Sequence, residues 1–131
     1  MVRVPAGDAL SEAQRARLAR AVTSAELATG LRFTIQIGPL QGGRAAAQEV
    51  LGRLRGCETT VLVAVDPAAR GLEIVTGGQA ARHVDDRACT LAALAMTSSF
   101  SAGDLVGGLV NGLQVLADHG RRQRVLNLDR V

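Results

Sequence analysis

Lysine, tryptophan and tyrosine are all missing from this chain, and phenylalanine occurs only at Phe33 and Phe100. With no stack of aromatic side chains there is no platform for single-stranded nucleic acid. The core must be built from Ala, Val, Leu and Ile. Every one of the fifteen basic residues is Arg, as a GC-rich coding sequence would give. Residues 1–119 hold eleven Arg against eleven Asp and Glu, so the net charge of +3 comes wholly from residues 120–131. A neutral body lacks the broad basic footprint of a nucleic-acid binder. No apolar run approaches the roughly 18 residues that span a bilayer. The segment Met1-Val2-Arg3-Val4-Pro5 has no apolar signal region, so the expected location is the cytoplasm. Cysteine is scarce too: Cys57 and Cys89 stand apart, outside any CxxC pattern, and are expected as reduced thiols.

What is present in these 131 residues reads as a single well-patterned domain, long enough to bury a core without staples. Ser11 and Gln14 form a capping-box signature, followed by Leu18, Val22 and Ala25 at helical spacing and by Gly30 as a left-handed stop. Arg32 to Gly38 alternates, with Phe33, Ile35 and Ile37 on one side, which predicts a half-buried strand near an edge. Arg44 to Arg55 predicts a helix with Ala47, Val50, Leu51 and Leu54 inward. Thr59 to Val65 has no polar alternation after Thr60, which predicts a central strand covered on both faces. Asp66-Pro67 then turns the chain, and Leu72 to Thr76 returns antiparallel. Gln79 to Val84 predicts a short helix, and Asp85 or Asp86 caps a longer one that Ser98-Ser99-Phe100-Ser101 breaks. Ser101 with Asp104 is a second Ser-x-x-acid signature, opening a last helix striped by Leu105, Leu109, Leu113 and Leu116 and ending near His119-Gly120. The expected fold class is α/β (α+β), in the order α-β-α-β-β-α-α, with helices packed on the faces of a three-stranded mixed sheet. Residues 1–119 form the domain and 120–131 a basic tail.

The motifs that carry chemistry are thin. Cysteine phosphatase chemistry needs Cys-x5-Arg, but the sixth residue after Cys57 is Val63 and after Cys89 is Ala95. Asp66-Pro67-Ala68 lacks the second aspartate of an Asp-x-Asp phosphatase strand end. Gly42-Gly43-Arg44 and Gly77-Gly78-Gln79 precede helices but match neither Walker A nor the dinucleotide fingerprint. The candidate metal ligands are Asp66, Asp85, Asp86 and Asp104, since a hard cation takes several converging oxygens. A simpler role is open to three of them: turn residue for Asp66, helix caps for Asp85 and Asp104. His83 near Asp85 and Asp86 offers a histidine–carboxylate pair, but no nucleophile accompanies it. Gly103, Gly107, Gly108 and Gly112 fall on or near one ridge of the last helix, suited to tight packing or to a second copy of the chain.

An ordered set of segments carries a resemblance. They are Leu10-Ser11 with Gln14, Thr29 to Phe33, Val61 to Pro67, Glu73 to Gly77, Asp86 to Cys89, Phe100 to Leu105, and Leu113 to His119. Together they resemble the TPM domain of thylakoid-lumen phosphatase-like, photosystem-II-repair and MOLO-type proteins, and in particular a group of small actinobacterial proteins of unknown function. The resemblance implies a TPM-like fold. Some plant members are credited with acid phosphatase activity and calcium binding. Where that domain has an Asp-Asn-Gly step into its central strand, this chain has Gly56-Cys57-Glu58-Thr59-Thr60.

Two functional expectations follow. The first is a non-enzymatic interaction or scaffold module, with an unidentified protein partner or a second copy meeting the last helix or the tail, and with no cofactor. The second is a phosphatase-like hydrolase assisted by a divalent cation, Ca or Mg, held at the four aspartates.

Overall fold

A computed structural model of the chain describes residues 1–4 and 10–121. The elements run β1 (Val2–Arg3), α1 (Glu12–Thr29), β2 (Arg32–Ile37), α2 (Gly43–Arg53), β3 (Thr60–Asp66), β4 (Gly71–Thr76), α3 (Asp86–Ser101) and α4 (Leu105–Gly120). Short 3-10 turns at Cys57–Thr59 and Ala80–Arg82 precede β3 and α3.

The central strand is where the patterning put it. All seven residues of β3 are buried. Val61, Val63 and Val65 face a core shared with α1, α3 and α4, whereas Leu62 and Ala64 face a smaller one under α2. Two apolar layers leave no position for a polar side chain between Thr60 and Asp66, hence the unbroken apolar run of Val61 to Val65. β3 pairs parallel with β2, from Arg32↔Thr60 to Ile37↔Val65, and antiparallel with β4.

The sheet has four strands, not three. Val2 and Arg3 pair parallel with Ile35 and Gln36, and Met1 O accepts the Ile35 N–H at 2.7 Å. The sheet order is β1-β2-β3-β4, so β2 lies next to the edge, covered on its outer side by the two-residue β1 at Ile35 and Gln36. A two-residue strand has no alternation to read, which is why the expectation missed it. β2 is accordingly more buried than a half-covered strand, with Thr34 enclosed as well as Phe33 and Ile35.

The caps follow the sequence closely. Ser11 Oγ accepts from Gln14 N–H at 3.1 Å, and Gln14 Oε1 accepts from Ser11 N–H at 2.9 Å. Gly30 closes α1 in the left-handed region. Asp85 Oδ1 accepts from Ala88 N–H at 2.9 Å and caps α3. The helix expected over Gln79 to Val84 is only the three-residue turn Ala80–Arg82.

The junction of α3 and α4 departs from expectation. α3 does not break at Ser98; it continues through Ser101. Serine is only a mild helix disfavour, and Phe100 is anchored against α4 at Gly108. The stop is Gly103 at φ 84°, whose N–H donates to Phe100 O at 2.9 Å while Asp104 N–H donates to Ser99 O at 2.9 Å. This is a Schellman closure. Asp104 is then itself the cap of α4, its Oδ1 accepting from Gly107 N–H at 2.9 Å, and Ser101 belongs to the preceding helix.

The small-residue ridge of α4 is occupied from within the chain. A Cβ on Gly108 would meet the Phe100 ring and Ser99 Cβ, and one on Gly112 would overlap Met96 Cε and Cγ. The two helices approach over these glycines, so this part of α4 packs on α3 and not, as its spacing also allowed, on a second copy. The tail from Arg122 onward lies outside the described residues. No helix among the described residues is long and apolar enough to cross a membrane.

Two glycine substitutions separate packing from propensity. Gly112→Ala forces a methyl group into fully buried Met96 and is expected to lower stability by about 1–3 kcal/mol. Gly52→Ala, exposed on α2 with nothing within 4 Å, is expected to raise it by about 0.5–1 kcal/mol. Urea unfolding midpoints measure both; equal effects would refute the close α3–α4 approach.

Candidate functional site

The β3–β4 hairpin and the α3–α4 turn face each other across a cleft of about 500 Å³. Its lining includes Asp66, Arg70, Leu72, Phe100, Ser101 and Leu105. Asp66, 9% exposed, ends β3. Its Oδ1 accepts from Ala69 N–H at 3.2 Å and shapes the turn, and its Oδ2 accepts from Leu40 N–H at 3.0 Å and ties the hairpin to the β2–α2 loop. The hairpin closes through Arg70, whose N–H donates to Pro67 O at 3.3 Å. Arg70 has φ 56°, the left-handed region that glycine or asparagine usually fills. On the opposite wall, the Schellman turn at Gly103 swings the chain from Phe100 to Leu105.

The four candidate aspartates do not meet. Asp85 and Asp86 lie at the start of α3 and Asp104 beyond its end. At 1.5 Å per residue those ends are about 22 Å apart. Asp66 and the turn carrying Asp104 border the same cleft, but the Asp66 and Asp104 carboxylates each accept backbone N–H groups. Among the described residues no three His, Cys, Asp or Glu side chains come together as a metal site. His83 is exposed after a three-residue turn, too short to offer a helix N-terminus to an anion. His119 Nδ1 lies 3.0 Å from Val115 O near the end of α4, where a cation complements the helix dipole.

A second, shallower groove runs along the open edge of β4 between α2 and α3. It is lined by Arg44, Glu73, Ile74, Asp86 and Cys89 among others. Arg44 reaches over the edge: one Nη donates to Ile74 O at 3.4 Å and lies 3.9 Å from Glu73 Oε1. Such a charge over the open edge of a strand blunts it against pairing with another chain. Both cysteines are free thiols, as their spacing suggested. Burial, with Asp86 and Asp85 nearby, pushes the Cys89 thiol up from 9.0 to about 11, against a smaller opposing pull from Arg44. A thiol so held is protonated at neutral pH and is not a nucleophile.

The family model described as a domain of unknown function, DUF5130, matches residues 4–117. Two uncharacterized proteins of Mycobacterium tuberculosis, from strains CDC 1551 / Oshkosh and ATCC 25618 / H37Rv, are each 36% identical over 98 residues, which is 74% of this chain and 59% of theirs. The chain thus matches less than two thirds of the length of these relatives. The solution structure of the N-terminal domain of cg2496 from Corynebacterium glutamicum superposes with a TM-score of 0.76 at 16% identity, over 91% of this chain and 78% of that one. The BA42 protein of Bizionia argentinensis gives a TM-score of 0.77 at 18% identity, over 88% and 84%. These two likenesses establish a shared fold.

The Cys89 thiol predicts a pH dependence in a range where this composition has no Lys or Tyr, and the Cys89→Ala variant separates it from the other free thiol, Cys57. The unfolded thiol ionises near 9.0, the folded one near 11. Its contribution to stability is therefore complete below pH 9 and is lost as pH rises toward 11. Urea midpoints measured across that window should fall in the wild type and flatten in Cys89→Ala. Identical slopes would remove the assignment.

Proposed function

The chain belongs to the DUF5130 family, a domain of unknown function, and from that premise we propose that it is a non-enzymatic interaction module with TPM-like architecture, acting in the cytoplasm. One observation carries this reading: three of the four candidate aspartates already have structural work, and the half-buried thiol is protonated. Asp66 holds the hairpin, Asp85 and Asp104 cap helices, and Cys89 keeps its proton. The surface that supports contact with a protein partner is the outward ridge of α3, where Leu91 is 40% and Leu94 63% exposed. Adjacent apolar side chains left in water are a recognised mark of interaction surfaces. Affinity capture from native cytosol checks this, using full-length protein, a Leu91→Glu/Leu94→Glu double variant and a 1–119 truncation. Partners should be lost from the double variant with its helical circular dichroism intact. Partner sets identical for wild type and double variant would refute the ridge.

A second reading, the divalent-cation-assisted phosphoester hydrolase implied by the TPM resemblance, has one observation in its favour: Asp66 and the turn bearing Asp104 share the 500 Å³ cleft. Asp104→Ser keeps a capping oxygen while removing the carboxylate. Under this reading, p-nitrophenyl phosphate turnover with Ca²⁺ or Mg²⁺ appears in the wild type and collapses in Asp104→Ser. No turnover, or turnover equal in both, excludes it.

A further inference from the structure

We propose that the cleft between the β3–β4 hairpin and the α3–α4 turn binds a small amphiphile, with an apolar body against Leu72, Phe100 and Leu105 and one anionic head, carboxylate or phosphate, on Arg70. Three observations support it independently. The first is size and lining. About 500 Å³ lies within the range of small-ligand pockets, and its walls are mainly apolar with a few polar groups, Asp66, Arg70, Thr97 and Ser101. Leu72, Phe100 and Leu105 are each only half-buried by the fold, so apolar surface remains for an occupant to cover.

The second is conformation. Arg70 is the one non-glycine residue with positive φ among the described residues. Glycine or asparagine would hold this turn with less strain, so the fold bears a cost for placing a guanidinium at the cleft mouth. The third is charge. Arg70 is exposed and has neither an ion pair nor a side-chain hydrogen bond among the described residues, unlike Arg44 and Arg121. Its planar fork suits the paired oxygens of a carboxylate or phosphate. Asp66 lines the same cleft and keeps its negative charge, but its two oxygens are taken by the Leu40 and Ala69 amides and among the described residues it makes no ion pair with Arg70. The exposed hydroxyl side chains of Thr97 and Ser101 also line the cleft and supply donors on its α3 wall.

Amide-resolved NMR titration of the full chain tests this, with octanoate, octyl phosphate, octanol and octylamine below their micelle thresholds and with EDTA present. EDTA removes any cation held by Asp66 and so separates this proposal from the hydrolase reading. Octanoate or octyl phosphate should give saturable shifts at residues 70–72 and 100–105, and the tighter of the two identifies the head group. Octanol, without the charge, should bind about tenfold more weakly. Arg70→Gly and Arg70→Asn relieve the left-handed strain, so both should fold with a raised melting temperature while losing about tenfold in affinity for the anion. Three results would overturn the proposal: no saturable shift with either anion, octylamine binding tighter than octanoate, or unchanged affinity in both Arg70 variants.

Discussion

One strand covered on both faces organises this molecule. β3 has no exposed residue, so it can exist only between two layers. The heavier layer, α1, α4 and α3, takes the valines; the lighter layer, α2, takes Leu62 and Ala64. The strand's limits then position everything else. At its start, the chain enters from the 3-10 turn at Cys57–Thr59; at its end, Asp66 is buried enough that its carboxylate must be satisfied by protein groups. The Leu40 and Ala69 amides satisfy it, and in doing so fix the hairpin relative to the β2–α2 loop.

The second constraint is the approach of α3 to α4. With Phe33 and Phe100 as the only aromatics, volume in the core comes from close helix packing rather than large rings. Gly108 and Gly112 admit Phe100 and Met96 between the helices. The Schellman glycine and the Asp104 cap reverse the chain within a few residues, so Phe100 and Leu105 end on the same side. The cleft results from two independent turns, each with its own hydrogen bonds, brought opposite each other by the sheet.

This economy explains why acidic residues are poor guides to chemistry in this chain. Free backbone N–H groups at helix starts and in tight turns are satisfied most cheaply by a short side-chain oxygen. Asp66, Asp85 and Asp104 serve that need, and none of them is available without loss to the fold. The cations are different. Arginine heads sit on flexible stems, and several remain unpaired at the surface. Arg44 covers the open edge of β4, whereas Arg70 stands at a cleft mouth in a conformation its backbone resists.

By itself the sequence determined whatever depends on neighbours in the chain. The Ser11–Gln14 box, the Gly30 stop, the Asp85 cap, the apolar run of β3 and the Asp66-Pro67 hairpin all rest on contacts a few residues long, and their signals are local. β1 was not legible, because two residues carry no period and pair only once β2 presents its edge. The continuation of α3 through Ser98-Ser99 was not legible either: local propensity there is weak, and Gly108 on another helix supplies the anchoring surface. Nothing in the spacing of the four aspartates fixed whether they converge, and the length of α3 separates Asp85 and Asp86 from Asp66 and Asp104. Tertiary structure alone made the cleft, because a concave surface needs two segments some thirty residues apart, and which side chains face each other across it is set by packing rather than by sequence spacing.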